Sequence, residues 1–244
     1  MNKTVLFLKN CCKQMSYIRN MLPWSKLICI FAVVGLSYCM PDPRSCKNST
    51  MADVVILLDA STSIGANNWK TEITFAADLV KSFTVGSNDV RFAAVMFNKD
   101  SSKIFDLKSF SAAQDIADTL ENIPYPNTVG TNTHLALAQV RSQKLFSTMS
   151  GGRFIAKDVL VILTDGRSKH PTLTQDEVEL LKASGTNVIS VGIGQTDRNE
   201  LARMASKSEN VFTTADLRLV DHIKKEFSTT ICDIQPLNQV STLV

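Results

Sequence analysis

The sequence predicts an α/β fold: a doubly wound, mostly parallel sheet with one antiparallel edge strand, flanked by helices. Three observations predict it. Strand-length apolar runs alternate with segments whose apolar residues recur every three or four positions. The runs Asp53–Asp59, Asp158–Thr164 and Asn187–Ile193 are apolar at nearly every position, as strands covered by helices on both faces must be. The segment Lys103–Leu107 follows Val90–Phe97 after only five residues, "NKDSS", enough for a hairpin and too few for a parallel crossover.

The elements follow in order. Asp53–Asp59 ("DVVILLD") is a buried strand that closes on an aspartate. Trp69, Ile73, Ala76, Val80 and Phe83 then mark one face of a helix from about Asn68 to Phe83, which makes Trp69 and Phe83 core residues. Val90–Phe97 and Lys103–Leu107 form the hairpin, and Ala112–Leu120 is a helix. Thr133–Phe146 reads as a helix with Leu137, Val140 and Leu145 inward. Strand Asp158–Thr164, helix Gln175–Ala183, strand Asn187–Ile193, helix Arg198–Ala205 and a short strand Val211–Thr213 continue the alternation. A helix Asp216–Thr229, with Val220, Ile223 and Phe227 on one stripe, closes the series.

A chain of 244 residues, 44% of them apolar, suits one domain of about 200 residues and an appendage. The most apolar run, Leu27–Met40, has Arg19 and Lys26 before it and Pro41 and Pro43 after it, the layout of a secretory signal. At roughly 14 residues it is short of the ~20 that span a bilayer. The expected organisation is therefore a signal over 1–39, a linker over 40–51, a domain over 52–232 and a tail over 233–244. The lead-in is long for a signal, which leaves open a later start at Met15 or Met21, or a membrane anchor in place of cleavage. Residues 1–39 carry five of the 26 basic residues and no acid, so their removal takes the formal charge from +3 to −2. A nucleic-acid partner is not expected of such a surface.

Four of the six cysteines lie at or before position 39. The other two, Cys46 and Cys232, bracket the predicted domain and in an oxidising compartment would form one bridge, worth ~2–4 kcal/mol; two unrelated thiols are the alternative. Asn48-Ser49-Thr50 is a glycosylation acceptor, consistent with secretion.

In a doubly wound sheet, ligands bind beyond the carboxyl ends of the strands, and here those ends carry oxygens. The first strand delivers Asp59, Ser61 and Ser63, whose alternate spacing in an extended loop turns all three side chains one way. A later strand delivers Thr164-Asp165-Gly166, and "VGTNT" (Val129–Thr133) opens a helix with two more hydroxyls. Two carboxylates and several hydroxyls without histidine or cysteine make a hard set, suited to Mg²⁺, Mn²⁺ or Ca²⁺ rather than zinc. Taken singly, each piece is also an ordinary turn or helix cap.

"DASTS", "GTNT" and "TDG", in that order and on those elements, resemble the metal-ion-dependent adhesion site of von Willebrand factor type A domains. The resemblance spans roughly Cys46–Cys232. It implies that Asp59, Ser61, Ser63, Thr131 and Asp165 ring a Mg²⁺ or Mn²⁺ ion. It also implies a binding role, with an extracellular protein such as collagen or another matrix protein supplying an acidic residue to complete the shell. Neutral hydroxyl ligands leave the cation underneutralised, so it attracts that carboxylate; four carboxylates would turn it into a structural plug.

Val129 departs from the family, where many relatives carry glycine, and is expected to stiffen its loop. Asp165–Asn187 holds one helix and no room for the extra helix of collagen-binding integrin domains, which places the chain nearer matrilin and type VI collagen A domains. By the same resemblance, the last helix slides when ligand pulls on the metal, and a Cys46–Cys232 bridge would limit its travel.

Arg167, Lys169 and His170 are candidates for the ligand rim, where they would favour an acidic partner; a solvated charged loop is the simpler reading. His134, just inside a helix, is expected to pack or cap.

Catalysis is not expected. A phosphatase built on a strand-end aspartate needs a second aspartate two positions on, and here that position is Ser61. No G-x-S-x-G elbow occurs, and "VGIGQT" (191–196) lacks the third glycine of a dinucleotide fingerprint. The alternative binding role is a structural matrix module that works without the metal.

Overall fold

The computed structural model describes residues 51–213. The candidate signal, Cys46, Cys232, the acceptor Asn48 and the expected helix Asp216–Thr229 lie outside the described residues. Six strands form one sheet: β1 (Ala52–Asp59), β2 (Val90–Phe97), β3 (Ser101–Phe105), β4 (Lys157–Thr164), β5 (Asn187–Gly192) and β6 (Val211–Thr213). Their spatial order is β3-β2-β1-β4-β5-β6. All pairings are parallel except β2 with β3, as the five-residue connection requires.

Five α-helices are described: α1 (Gly65–Lys81), α2 (Ala113–Glu121), α3 (Thr133–Ser142), α4 (Pro171–Ala183) and α5 (Arg198–Met204). The period-2 geometry of β1 divides the core in two. Val54, Ile56 and Leu58 enter the cluster that includes Trp69, Ile73 and Val80 of α1, with Ile116 and Leu120 of α2. Val55 and Leu57 enter the cluster of Leu137 and Val140 of α3, Val178 of α4 and Leu201 of α5. That double burial is why β1 has no polar face. Among the described residues, no helix is long and apolar enough to cross a membrane.

Several boundaries move, each for a local reason. The Asn98 amide donates to the Asp100 carbonyl (2.8 Å) and the Asp100 amide to Asn98 Oδ1 (3.0 Å), so the hairpin turns tightly and β3 starts at Ser101, not Lys103. The helix expected to reach Phe146 ends at Ser142, because Lys144 takes φ +50°; Leu145 still reaches the core from that turn. Helix α4 starts at Pro171 rather than Gln175, since proline fits the first helical position, where an amide donor has no partner. Phe83 lies two residues past the end of α1 and is only partly buried against the core.

At the end of the sheet where β1 begins, Asp53 is fully buried and held by Arg153, whose Nε and Nη2 donate to Oδ1 at 2.9 and 2.7 Å. Asp158 sits opposite Asp53 in the β1–β4 register. Burial, and then the charge of Asp53, raise the Asp158 carboxyl to about 7. The folded protein therefore keeps a proton that the unfolded chain has lost, so this group makes stability fall as pH rises from about 4 to about 7 and adds nothing further above that. Asp158→Asn is expected to raise the melting temperature at pH 8 and to leave it unchanged at pH 3.5. An equal gain at both values would remove titration as the cause.

Candidate metal centre

Strand order runs outward in opposite directions from β1 and β4, so the crevice of this sheet opens where those two neighbours end. Asp59 is the last residue of β1, and Asp165 follows the last residue of β4. Asp59 is fully buried. Its Oδ1 accepts the Ser61 amide (3.0 Å), which folds the loop back over the strand end, and its Oδ2 accepts the Thr164 hydroxyl (2.6 Å), which ties the ends of β1 and β4 together. Thr164 Oγ1 in turn accepts the Gly166 amide (3.1 Å).

Ser61 Oγ and Ser63 Oγ lie 2.9 Å apart, as their alternate spacing predicts. Ser61 is buried and Ser63 exposed, so the pair runs from the crevice floor to its lip. The Ser61 carbonyl accepts from the Tyr125 hydroxyl (2.8 Å), and the Tyr125 ring stacks on Trp69 at 5.6 Å. Asp165 is nearly buried, and its Oδ1 accepts the Arg167 amide (3.0 Å).

The threonine loop is joined to both other segments. Thr128 bridges Ser61, and the Lys169 amide donates to the Thr131 carbonyl (2.9 Å). Gly130 takes φ +113°, and a Cβ there would come within 3.1 Å of the Lys99 Cα, so glycine is required at that point. Val129 beside it is 75% exposed. The tight part of this loop is therefore Gly130, and the Val129 side chain points to the surface. All three sequence segments thus meet at one crevice, with Asp59, Ser61, Thr131 and Asp165 buried there.

Beneath Asp59 lies a carboxylate that the sequence reading passed over. Glu72 of α1 is fully buried; its Oε1 accepts the Asp59 amide (2.7 Å), and its Oε2 has no partner among the described residues. Burial first, and then the charges of Asp59 and Asp165, hold its carboxyl well above the usual carboxylate range. Burial raises Asp59 to about 6; its hydrogen bonds from Ser61 and Thr164 oppose the rise, and the charge of Asp165 adds to it. Among the described residues, the charged groups acting on Asp59 and Glu72 are thus carboxylates, with no lysine or arginine to balance them.

A buried, oxygen-only cluster short of positive charge fits a hard divalent cation. Among the described residues no group of three or more His, Cys, Asp or Glu side chains is placed to hold a metal, so such an ion would depend on the hydroxyls of Ser61, Ser63 and Thr131. Glu72 had a legible signal: an acid on the Trp69–Ile73–Ala76 face, where only a partnered acid belongs. Glu200, also buried, accepts the Ser168 amide (3.0 Å) and steadies the loop after Asp165.

Glu72→Ala is expected to cost the metal-free protein roughly 1–3 kcal/mol or more, because the Asp59 amide loses its buried acceptor. Glu72→Gln keeps an acceptor and sheds the like charge, so it should cost less. Chemical denaturation of both variants checks this, and equal losses would mean that the hydrogen bond is not what counts.

At the rim, Arg167, Lys169 and His170 are exposed. His134, expected only to pack or cap, stands edge-to-face against His170, with ring centroids 5.0 Å apart and planes at 87°. Nothing in the 35 intervening residues predicts the contact of the two rings.

Comparison with known proteins agrees with this layout. The family model for the von Willebrand factor type A domain matches residues 53–226. The mouse collagen alpha-4(VI) chain is 32% identical over 201 residues, which are 80% of this chain and 8% of that one. Human matrilin-1 is 29% identical, over 75% of this chain and 37% of its own length. This chain therefore spans a small part of those relatives. Among solved structures, proximal thread matrix protein 1 of the mussel byssus, with a zinc-occupied MIDAS motif, aligns with TM-score 0.62 and 30% identity over 74% of this chain and 46% of that one. Manganese-loaded TRAP protein of Plasmodium vivax aligns with TM-score 0.64 at 19% identity, over 73% and 74% of the two chains, a likeness of fold.

Proposed function

The chain belongs to the von Willebrand factor type A domain family, and from that premise we propose that it is a secreted, extracellular module that grips a matrix protein through a divalent cation. Asp59, Ser61, Ser63, Thr131 and Asp165 would hold the ion, Mg²⁺ or Mn²⁺. An acidic residue of the partner would complete its shell. The observation that carries this reading is the crevice between β1 and β4, where two buried carboxylates without a counter-charge meet hydroxyls from two loops. The ion would supply uncompensated positive charge. The protein's share is to hold Asp59 and Asp165 rigid from behind, through Thr164, Glu72 and backbone amides, so that no reorganisation is needed when ligand arrives.

The mussel relative with zinc in the corresponding motif, and the collagen and matrilin relatives, support a metal-assisted role among matrix proteins. We assign residues 52–232 to the domain, with a removed leader over 1–39, a linker over 40–51 and a tail over 233–244. The Cys46–Cys232 bridge and a glycan on Asn48 belong to the same proposal. The chemistry is binding rather than catalysis, since Ser61 stands where an acid–base aspartate would have to be. Phosphate release from a generic phosphoester with Mg²⁺ would overturn that point.

A second reading, a structural module that binds without the metal, is favoured by one observation. Met149, Phe154 and Ile155 are each more than 70% exposed in the segment before β4, at the end of the sheet away from the crevice. Capture of collagen and matrix extracts in Mg²⁺ and in EDTA separates the two. Release in EDTA is expected; partners that stay bound in EDTA are held by the second route.

A further inference from the structure

The chain has three histidines, and two of them, far apart in sequence, meet beside the crevice. We propose that His134 and His170 form a two-imidazole site for a borderline transition-metal ion, zinc above all, separate from the oxygen cradle and filled independently of it.

The ring separation is that of two imidazoles able to share one ion once the exposed His170 ring turns from its edge-to-face contact. Imidazole nitrogen binds zinc at about 2.0–2.1 Å with the ring centre about 1.2 Å behind it, so two rings on a tetrahedral ion have centres about 5 Å apart. The observed separation is 5.0 Å, and planes at 87° leave the rings crossed rather than stacked. His170 is exposed at the N-cap of α4, where its ring can turn; His134 is fixed in the first turn of α3. His134 Nδ1 is buried without a hydrogen-bond partner among the described residues. An orphaned polar atom of this kind is unfavourable, and a ligand taken up by the pair would offset that.

The surroundings favour the ligating form. Only neutral imidazole binds metal, and burial, followed by the nearness of His170, holds His134 below its ordinary value. Glu177 pulls the other way, but its carboxylate is occupied by Arg141, whose Nε and Nη2 donate at 2.8 and 2.9 Å. It is therefore no third ligand, and the remaining coordination positions fall to water or to a donor from outside. Arg167 and Lys169 are on the same loop as His170; both are exposed, where salt screens their repulsion. Nitrogen donors favour zinc, copper or nickel, whereas the hydroxyl–carboxylate cradle of a relative can also hold zinc, so a large excess of magnesium is what keeps the cradle filled while the imidazoles are titrated.

The test is calorimetric titration of Zn²⁺ into the full chain, thiols alkylated, with magnesium in large excess. One equivalent is expected in wild type, in Asp59→Ala and in His222→Ala. It should be lost in His134→Gln and in His170→Gln, which keep polar side chains of similar bulk, with circular dichroism showing both folded. Zinc uptake that survives in both glutamine variants, that disappears in Asp59→Ala, or that is absent from wild type overturns the proposal. Asp59→Ala removes a cradle carboxylate and no imidazole, so once circular dichroism shows this variant folded as well, failure of one site is told apart from failure of the other.

Discussion

Asp59→Ala is expected to abolish a magnesium-dependent rise in melting temperature that the wild-type protein shows. A ligand at a hundredfold excess over its Kd stabilises the folded state by about 2.7 kcal/mol. For a domain of this size, where each kcal/mol moves the midpoint about 2–4 °C, the wild-type rise is roughly 5–10 °C. The carboxyl of Asp59 contributes charge to the ion and joins Ser61 to Thr164, so its removal weakens both the cradle and the seam between β1 and β4. The metal-free variant should lose stability for the second reason, partly offset because Glu72 sheds a like-charged neighbour. Asp59→Asn separates the two roles: it keeps an acceptor for the Thr164 hydroxyl and should fold, yet show little response to magnesium. A full magnesium response in Asp59→Ala, read by calorimetric melting, would take this aspartate out of the site.

The second large effect lies at the other end of the same strand. Arg153→Met is expected to destabilise the protein by about 3–5 kcal/mol, the usual consequence of stripping one partner from a buried ion pair. Arg153 donates twice to Asp53 Oδ1 from its side chain, donates to Oδ2 from its backbone amide (2.6 Å), and reaches the carbonyls of Ser87 and Ala52 at 2.8 Å. Burial already raises the Asp53 carboxyl despite the guanidinium, so the carboxylate has nothing to spare when that partner goes. Asp53→Asn combined with Arg153→Met should recover part of the loss, since no buried charge is then left alone. The magnesium response of Arg153→Met should stay intact, because the pair sits where β1 begins and the crevice opens where it ends. A loss below about 1 kcal/mol in urea unfolding would mean that water reaches Asp53 and replaces the arginine.

Much of this molecule is legible residue by residue. The unbroken apolar run of β1 announces two covered faces, and the Trp69–Val80 spacing announces the helix that covers one of them. The oxygen-bearing strand ends also stand out, because polar side chains directly after apolar runs sit where a parallel sheet opens. Illegible were the groups that act across long sequence distances. Glu72 sits 13 residues from the amide it satisfies, and Arg153 lies 100 residues from Asp53. The helical face shows that Glu72 is buried but not which amide it serves, and nothing local distinguishes Arg153 from a solvated surface charge.

The sequence by itself determined the order and type of the elements, the buried strands and which segments bring oxygen to the crevice. These follow from periodicity and from the end of the strand each segment occupies, both local properties of the chain. Only the tertiary structure decided which side chains face one another: Asp59 with Thr164, Glu72 under Asp59, His134 against His170. The physical reason is that burial and like-charge proximity arise from packing between elements, and packing is what makes an ordinary glutamate or histidine strained for want of a partner.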